Sequence, residues 1–550
     1  MEQRPWLKNY PPGVPANIDH TVYENLVQFF EACFTTYKDL TAFECMGTKL
    51  AYKDVDKYSM NFAAYLHSRG LNPGDKIAMM MPNVLQYPIA VFGALRAGLI
   101  VVNTNPLYTP REMLHQFTDS EVKAIVILEN FASNLEKIID QTKIQTVILA
   151  TIGEMHGWIK GGMINIAVKY LKRMVPSFIL QNTVTFRHSL KEGGKFKIKS
   201  FSNCPEDVII HQYTGGTTGI SKGAMLTNQS IIANMIQIKA WMQHHLTEGK
   251  EITLSPLPMY HIFAFTVNCL AMLSVGAHTV LVTNARDIKS VIKEFRKNRI
   301  TLMTGINTLF NALVNDASFS GCDFSGLKIT VGGGMAIQKA VADKWKAVTG
   351  CILTEGYGMT ESSPLISVNP LDGSGKQGSI GMPVSSTDVM IVDDTGIPVP
   401  VGETGEIIAK GPQIMKGYYN QPGETARTVV DGWLHTGDIG KMDEDGYFYI
   451  VDRKKDMILV SGFNVFPNEI EDVAMMHPDV LEVAAVGIPD EKSGEVVRLF
   501  VVPKNKSLKK DELLRHCKEN LTGYKVPKEI VFREELPKTN VGKILRRALR

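Results

Sequence analysis

The feature that most constrains the fold is a regular alternation of short apolar segments with helical segments, which begins near Tyr58. Four of these apolar segments contain almost no polar residue: KIAMMM, LIVV, KAIVIL and TVILA. A strand that is apolar on both faces must be covered on both faces, as in parallel sheets flanked by helices. The alternation resumes between Ile231 and Val331. The sequence therefore predicts an α/β fold whose large N-terminal domain consists of parallel α/β sheets.

The pattern changes after Gly381. VMIVDDTGIPVP and GEIIAKG alternate in polarity and are separated by turn residues, which predicts short antiparallel strands and a small β-barrel-like subdomain. The charged stretch Val451–Ile458 is typical of a connector. Beyond it we expect a small α+β domain. Its predicted helices are Pro467–Met476 and Lys509–Asn520, and its predicted strands are Val483–Val486 and Leu499–Val502.

Composition excludes several functional classes. At 550 residues the chain exceeds one typical core, and its net charge of +3 comes without a dense basic run with interleaved aromatics, so no nucleic-acid partner is expected. The seven cysteines form no CxxC pair, which favours reduced thiols in a cytosolic protein over disulfides or a zinc site. The start has no apolar signal-peptide core, and no segment qualifies as a spanning helix. We therefore expect a cytoplasmic protein.

The stretch YTGGTTGISKG, Tyr213–Gly223, combines glycines and hydroxyls with a lysine. Because glycine is costly to order, a glycine cluster indicates a tight turn or close approach of backbone to a ligand. Hydroxyls and exposed N–H groups beside a cation suit a polyphosphate. The order Ser221-Lys222-Gly223 does not fit a P-loop, which requires Gly-Lys-Ser/Thr. A flexible surface loop is the alternative.

Two further segments contain candidate site residues. SPLPMYHIFAF places His261 among apolar and aromatic residues, where a hydrogen-bonded core histidine is the alternative. EGYGMTES offers a ring, a hydroxyl and a carboxylate, Tyr357, Thr360 and Glu361, which together could stack a base and hold Mg²⁺. A helix start capped by Thr360 explains the last two residues equally well.

Two other segments point to charged site residues. In WLHTGDIG, the carboxylate of Asp438 is suited to the two hydroxyls of a ribose, although an Asx-turn is the simpler explanation. In LPKTNVGKILRR, a turn at residues 540–542 presents Lys543 ahead of a basic helix. A solvated lysine in a charged tail is the alternative there.

In this order, YTGGTTGISKG, YGMTE, TGD, VDRKKD and the GK near the C-terminus resemble the adenylate-forming superfamily of acyl-CoA synthetases, over nearly the whole chain. The block Asp431–Ile458 is similar to the signature of fatty-acyl-CoA synthetases. The resemblance implies that ATP activates a long-chain fatty acid to acyl-AMP, and that CoA then displaces AMP to give acyl-CoA. It implies ATP, CoA and the fatty acid as substrates and Mg²⁺ as cofactor.

The resemblance also implies roles for single residues. The implied catalytic residues are Lys543, Glu361, Thr360 and His261, with Glu361 and Thr214 as metal ligands. Those implied to bind ATP are Thr214, Gly215, Gly216, Thr217, Thr218, Gly219, Lys222, Tyr357, Asp438 and Arg453. Those implied for the acyl and pantetheine tunnels are Phe265, Gly332, Gly333, Gly334 and Gly462. An ordinary packed side chain is the alternative for Phe265.

By the same resemblance, Lys455 is a hinge between a large domain, residues 1–454, and a mobile small domain, residues 455–550. Rotation there would withdraw Lys543 after adenylation and bring the face that contains Gly462 to the pantetheine tunnel. Many relatives have aspartate at this position, and lysine is also familiar among fatty-acyl enzymes.

Three alternative functions stay open. A fatty acyl-AMP ligase would need an insertion near the domain junction, for which Asp431–Met476 leaves little room. A medium-chain or aromatic CoA ligase is only weakly disfavoured. A non-catalytic binder that assists fatty-acid uptake is disfavoured by the presence of Glu361, Asp438 and Lys543.

The segment Gly162–Val175 has polar residues at helical spacing and apolar residues around most of the rest. The polar residues are Asn165, Lys169, Lys172 and Arg173. This pattern suits a helix that lies on an anionic bilayer, and a core helix with a cationic outer edge fits equally well. We expect peripheral association with the inner face of the cell membrane, and a homodimer is compatible with the resemblance.

Overall fold

The computed structural model describes residues 4–214, 221–461, 463–490, 493–505, 507–539 and 542–550. The strands are β1 (Thr41–Cys45), β2 (Thr48–Ala51), β3 (Lys76–Met80), β4 (Ile100–Asn103), β5 (Ala124–Leu128), β6 (Thr146–Ala150), β7 (Thr183–Thr185), β8 (Val208–Thr214), β9 (Lys222–Thr227), β10 (Ile252–Ser255), β11 (His278–Leu281), β12 (Leu302–Gly305), β13 (Ile329–Gly332), β14 (Leu353–Gly358), β15 (Leu365–Val368), β16 (Met382–Pro383), β17 (Asp388–Val392), β18 (Gly405–Lys410), β19 (Gly417–Tyr418), β20 (Val429–Val430), β21 (Trp433–Met442), β22 (Phe448–Arg453), β23 (Ile458–Val460), β24 (Phe463–Val465), β25 (Val480–Asp490), β26 (Gly494–Pro503) and β27 (Glu529–Phe532).

The α-helices are α1 (Leu26–Thr36), α2 (Tyr52–Ser68), α3 (Gln86–Arg96), α4 (Pro110–Ser120), α5 (Ala132–Glu136), α6 (Trp158–Ile166), α7 (Phe186–Gly193), α8 (Asn228–Met242), α9 (Ile262–Ala264), α10 (Ile288–Lys297), α11 (Asn307–Asn315), α12 (Lys339–Thr349), α13 (Pro422–Thr428), α14 (Pro467–Met475) and α15 (Lys510–Asn520). Two π-helical segments, Ala167–Leu171 and Phe265–Ala271, extend α6 and α9. Short 3₁₀ turns are Pro5–Asn9, Glu129–Phe131, Ile139–Gln141, Thr360–Ser362, Gly523–Lys525 and Arg546–Ala548.

Two large sheets form the body of the protein. One has eight strands in the order β19-β9-β8-β4-β3-β5-β6-β7, and the other has nine in the order β16-β15-β14-β13-β12-β10-β11-β1-β2. The central strands of both sheets are parallel, and antiparallel strands lie at the edges. Every side chain of β5 is buried, as expected for a strand covered on both faces. The predicted parallel α/β architecture is confirmed.

Two smaller sheets follow. β17, β18, β21, β20 and β22 form a five-stranded antiparallel sheet where the sequence predicted short antiparallel strands. In the C-terminal part, β24, β23, β26 and β25 form a second sheet, to which β27 adds in parallel. Helices α14 and α15 accompany this last sheet, so the predicted small α+β domain is present, with longer strands than the sequence indicated.

Local sequence explains several helix starts. The hydroxyl of Thr109 accepts a hydrogen bond from the N–H of Glu112, whose carboxylate accepts from the N–H of Thr109, and Pro110 occupies the first position of α4. The side chain of Asn25 caps α1 in the same manner. Capped helices of this kind hold the apolar faces of the helices against the sheets.

The largest buried cluster connects the two large sheets through α1, α2, α3 and α8. Rings of Phe30, Phe34 and Phe92 contact one another inside it, with centroids 4.8 to 5.5 Å apart. Such aromatic contacts fix the helices between the sheets. All seven cysteines are free. In the described ranges, each helix is too short or too polar to cross a bilayer.

Candidate active site

The glycine-rich segment connects two antiparallel strands of the eight-stranded sheet. Thr214 ends β8, Lys222 begins β9, and these two residues are paired in the ladder. The hydroxyl of Tyr213 donates a hydrogen bond to Asp119 at 2.5 Å, which anchors the end of β8 to α4. Gly215, Gly216, Thr217, Thr218 and Gly219 lie outside the described residues, so their predicted phosphate contacts stay predictions. The ladder places Thr214 and Lys222 side by side where β8 ends and β9 begins.

Glu361 lies buried beside this hairpin, in the 3₁₀ turn that also contains the half-buried Thr360. Its carboxylate accepts a hydrogen bond of 2.6 Å from the hydroxyl of Tyr418, which is on β19 next to β9. Burial raises the pKa of Glu361 above its usual range, against the effect of this hydrogen bond. A buried carboxylate of this kind is poised to take a cation as a partner.

The ammonium of Lys222 forms an ion pair with Glu424 on α13 and lies over the ring of Tyr418, 5.4 Å from its centroid. Burial lowers the pKa of Lys222, and so does the nearby Arg427. To bind a phosphate, Lys222 would have to exchange its carboxylate partner for the phosphate. The sequence did not indicate the pair with Glu424.

A second cluster contains the residues predicted to bind adenosine. The hydroxyl of Tyr357, at the end of β14, donates a hydrogen bond of 2.7 Å to the carboxylate of Asp438. Asp438 also pairs with Arg453 at 3.2 Å, because these two residues face each other in the β21–β22 ladder. The guanidinium of Arg453 is half exposed, whereas Asp438 is buried. The structure thus brings together three residues that are up to 96 positions apart.

Lys543 extends from the C-terminal part into this cluster. A Cβ atom built on Gly334 would lie 3.1 Å from Cε and 3.3 Å from Nζ of Lys543, so the side chain passes directly over the glycine turn after β13. Burial and, to a smaller extent, the charge of Arg453 lower the pKa of Lys543 to about 8, although Asp438 opposes both. The turn before it is held by Thr308, whose hydroxyl donates to the carbonyl of Gly542 at 3.2 Å.

His261 lies near Lys543 at the start of α9. Burial lowers the pKa of His261 to about 3, with a further contribution from the charge of Lys543. The imidazole is therefore neutral at physiological pH and can donate or accept one hydrogen bond without adding charge. Its ring also contacts Tyr260, with centroids 4.9 Å apart.

The residues predicted for the acyl tunnel include Phe265, which follows His261 on the same helical segment, and the glycines at and after the end of β13. The N–H of Phe265 donates to the carbonyl of His261 at 3.0 Å, and its ring is fully buried in the core. Gly333 is in close contact with Gly356 and Phe263, since an added Cβ would lie 3.2 Å from each. Gly332 is packed by Ile337. Backbone, the Phe263 ring and Ile337 therefore occupy the space over these two glycines, and the role of Phe265 in the acyl tunnel stays a prediction.

The segment predicted as a hinge lies between β22 and β23. Lys455 is exposed in a turn in which the N–H groups of Asp456 and Met457 donate to the carbonyl of Arg453. Just before it, the buried carboxylate of Asp452 accepts a 2.9 Å hydrogen bond from the N–H of Asn468, at the start of α14. Gly462 lies outside the described residues.

Arg546 lies at the centre of an ion-pair network behind Lys543. Its guanidinium donates to both carboxylate oxygens of Glu471, at 3.0 and 2.8 Å, and to the side chain of Asn468 at 2.7 Å. It also lies 3.7 Å from Asp452 and 3.6 Å from Asp456. The network connects the segment that contains Lys543 to α14 and to the end of β22.

The site fits Mg²⁺ only together with a phosphate ligand. In the part of the chain that the structure describes, no group of three or more His, Cys, Asp or Glu side chains is arranged to hold a metal. Mg²⁺ is usually held by one or two carboxylates and the phosphates of a substrate. Glu361 fits that role, because its buried carboxylate has a single hydroxyl donor and, among the described residues, no ion pair.

Sequence reasoning missed Tyr418, Glu424, Asp452 and Arg546. The contacts that place three of them in the site span 57 residues for Tyr418 with Glu361, 202 for Glu424 with Lys222 and 75 for Arg546 with Glu471, and no local motif marks these pairs. Asp452 and Arg546 do stand inside the quoted VDRKKD and GKILRR segments. Their position beside Lys455 and Lys543 was the one available signal.

Comparison with known protein families finds a match in both the N-terminal and the C-terminal part of the chain. A model of the AMP-binding enzyme family matches residues 30–419, and a model of the AMP-binding enzyme C-terminal domain matches residues 469–543. The long-chain-fatty-acid–CoA ligase of Salmonella typhimurium strain LT2 is 53% identical over 546 residues, which cover 99% of this chain and 97% of that protein.

Two solved structures have the same fold. The crystal structure of the anthranilate CoA ligase AuaEII in complex with anthranoyl-AMP superposes on this chain with a TM-score of 0.85. The two sequences are 24% identical, and the match covers 97% of this chain and 98% of that one. ATP-bound MatB from Rhodopseudomonas palustris gives 0.81 at 26% identity, over 96% and 98%. With both family models matched in order and a full-length relative above half identity, this chain belongs to the AMP-binding enzyme family.

Proposed function

We propose that this chain is an AMP-forming long-chain fatty acid–CoA ligase. The observation that supports this most directly is the position of Lys543 over Gly334, beside the cluster of Tyr357, Asp438 and Arg453. One cation from the C-terminal part thereby reaches the residues suited to bind adenosine. The long-chain-fatty-acid–CoA ligases that are 50–53% identical to it support the fatty-acid substrate.

In the first half-reaction, a carboxylate oxygen of the fatty acid attacks the α-phosphorus of ATP. The P–O bond to pyrophosphate breaks, and acyl-AMP forms. Negative charge grows on the α-phosphate as the new bond forms, and a fixed cation stabilises it most effectively in a site from which water is excluded. Lys543 supplies this cation, since at pH 7 a pKa of about 8 leaves most of its ammonium protonated. His261, kept neutral, positions the carboxylate without competing for the phosphate.

Nucleotide binding falls to two sets of residues. Tyr357 stacks on adenine, and Asp438 and Arg453 bind the ribose hydroxyls. Thr214, Thr360, Lys222 and the glycine-rich loop hold the β- and γ-phosphates through hydroxyls, N–H groups and charge. Glu361 and Thr214 would hold Mg²⁺, which supplies charge neutralisation at these phosphates.

In the second half-reaction, the thiol of CoA attacks the acyl carbonyl carbon and AMP leaves. Lys543 has no role in this step, so the small domain, residues 455–550, rotates at Lys455 relative to residues 1–454. The exposed turn around Lys455 allows such a rotation. The bond from Asn468 to Asp452 would then have to break, because it crosses the hinge. The face with Gly462 would meet the pantetheine arm, and Phe265 with Gly332 and Gly333 would border the acyl channel.

Two finer proposals concern the surroundings of the enzyme. We propose peripheral association with the inner face of the cell membrane, which would bring a cytoplasmic enzyme to a poorly soluble substrate. A homodimer is the second proposal, and sedimentation velocity at several protein concentrations would test it.

The central test measures pyrophosphate release and CoA-thioester formation across fatty acids of increasing length. We expect both products, with long chains preferred. Acyl-AMP without thioester would indicate an acyl-AMP ligase, and preference for aromatic or medium-chain acids would indicate the other CoA ligases. If wild type and the control Lys543→Ala release pyrophosphate equally slowly, the chain is not an adenylating enzyme.

A further inference from the structure

Helix α6 and the π-helical segment after it expose an unusual number of large apolar side chains. Trp158 is 87% exposed, Leu171 is 78% exposed and Ile159 is 72% exposed. The full set of exposed large apolar residues here is Trp158, Ile159, Met163, Ile166, Tyr170, Leu171 and Met174, which we call the outer face. At 3.6 residues per turn, those from Trp158 to Tyr170 lie on an arc of about 140°.

The opposite edge of the same helix is fixed to the body of the protein. Gly161 and Val168 are buried, and the side chain of Asn165 accepts from the N–H of Gly153 at 2.7 Å and donates to Thr151 at 3.0 Å. Gly153 and Gly161 approach so closely that a Cβ on either would overlap the carbonyl of the other. Asn165, which helical spacing groups with the three cations, therefore faces the body of the protein, where its amide bonds the N–H of Gly153 and the hydroxyl of Thr151. The outer face points to solvent because the inner edge is bound.

Cations border the outer face at its C-terminal end. Lys169, Lys172 and Arg173 are exposed, and within the described ranges none of them has a carboxylate oxygen within 4 Å. At the other end, the ammonium of Lys160 donates to Thr48 in the β1–β2 hairpin at 3.2 Å and has no acidic partner in the same ranges. An apolar surface rimmed by unpaired cations matches a surface that is apolar inside and anionic outside.

We propose that the outer face docks into the interface of an anionic phospholipid bilayer, with Trp158 and Tyr170 at the headgroup level and the cations against lipid phosphates. Exposed Trp and Tyr rings suit that level because each has an apolar body and a polar atom. A second copy of the chain is a poorer occupant. A two-fold contact through this face would bring the cation groups of both copies together without a carboxylate between them. The inference deepens the membrane association proposed above by naming the surface that docks, and it does not depend on the enzyme activity.

Trp158 provides a direct reporter of docking. The protein has five tryptophans, of which Trp6, Trp241 and Trp345 are buried and Trp433 is half-buried. Vesicles of phosphatidylglycerol and phosphatidylcholine in equal parts should therefore shift the emission to shorter wavelength and protect it from iodide quenching. Trp158→Phe should remove the shift. Vesicles of phosphatidylcholine alone should give a much smaller one.

Charge reversal separates docking by this helix from attraction by net charge. Lys169→Glu, Lys172→Glu and Arg173→Glu together should weaken partitioning onto the anionic vesicles about a hundredfold or more. The matched control is Lys510→Glu, Arg515→Glu and Lys518→Glu, which changes the same residue types at exposed positions of α15. The control should bind like wild type. Ile159→Ser with Leu171→Ser should weaken binding at least about tenfold with all charges kept.

Three results would overturn the proposal. Equal loss of binding in both charge-reversal variants would assign the attraction to net charge. An unchanged Trp158 emission on vesicles that do bind the protein would assign docking to another surface. The third result is that, without vesicles, Trp158 becomes more protected from iodide as the protein concentration rises and a dimer is seen in sedimentation velocity. A second copy of the chain would then be the occupant of the outer face. Circular dichroism and unchanged activity on detergent-dispersed fatty acid show that each variant is folded.

Discussion

Replacing Asp452 with asparagine should stabilise the fold at neutral pH, although it removes one partner of Arg546. Asp452 is completely buried, and burial raises the pKa of its carboxyl to about 6, against the opposing effects of Arg546 and the N–H groups of Asn468 and Arg453. Its ordinary value is 3.8. The difference corresponds to about 3 kcal/mol by which the fold disfavours the ionised form.

The sign follows from proton binding. Between pH 3.8 and about 6 the folded state keeps a proton that the unfolded state has lost. The stability that this group contributes is therefore fully present below its ordinary pKa of 3.8. It falls as pH rises toward the folded-state pKa of about 6, and above that pH it no longer changes. Asparagine does not titrate and can still accept the N–H of Asn468. The variant should gain about 3 kcal/mol relative to wild type at pH 7.5 and about half of that at pH 5.

Urea unfolding of wild type and Asp452→Asn at both pH values measures this difference, with the fluorescence of the buried tryptophans as the signal. Asp456→Asn is the matched control, because Asp456 also faces Arg546, at 3.6 Å, but is less buried. The reasoning would be refuted if Asp452→Asn were less stable than wild type at pH 7.5 and if this loss of stability were larger at pH 7.5 than at pH 5. The ion pair with Arg546 would then outweigh the cost of burial.

Three other predictions concern the reaction. Lys543→Ala should slow acyl-AMP formation about 10²- to 10³-fold and spare thioester formation from pre-made acyl-AMP, because in the proposed mechanism this cation serves the first step alone. Equal losses in both assays would contradict this role. Lys455→Pro fixes φ near −65°, so separate assays should find one half-reaction retained and the other lost, and full turnover would place the hinge elsewhere. Tyr418→Phe removes the hydroxyl that donates to Glu361, and this should raise the KM for Mg²⁺-ATP about tenfold. If titrations with Mg²⁺ give an unchanged KM, this hydrogen bond has a structural role only.

Much of the fold could be predicted because the parallel strands are apolar on both faces. KIAMMM, LIVV, KAIVIL and TVILA correspond to β3, β4, β5 and β6, which are consecutive in the sheet in the order β4-β3-β5-β6. The pairing of β19 with β9 could not be predicted, since Gly417–Tyr418 is two residues long and has no pattern of its own. Yet this pairing brings Tyr418 to Glu361.

For the candidate site, the order of the motifs along the chain could be used to predict the site residues, whereas the contacts between distant residues could not be predicted. The segments with Tyr357, Asp438 and Lys543 were identified, and the structure places the three side chains in one cluster. The ion pair of Lys222 with Glu424 depends on where α13 lies, and nothing near either residue indicates it. Helical spacing groups Asn165 with the cations of the same helix but does not tell which side of the helix meets the protein, so the contacts of Asn165 with Gly153 and Thr151 could not be predicted.

The pair of Lys222 with Glu424 has a consequence for selectivity among anions. A carboxylate tethered to the same chain competes for the ammonium at a high effective concentration, so a passing anion must displace it. Chloride or inorganic phosphate offers one weak contact in exchange, whereas in the proposed function a triphosphate would also gain hydroxyls, N–H groups and a metal. Glu424 would then be an internal counter-ion, displaced only by an anion that binds the site more strongly than this carboxylate does. Glu424→Gln should therefore make simple anions more effective inhibitors of nucleotide binding.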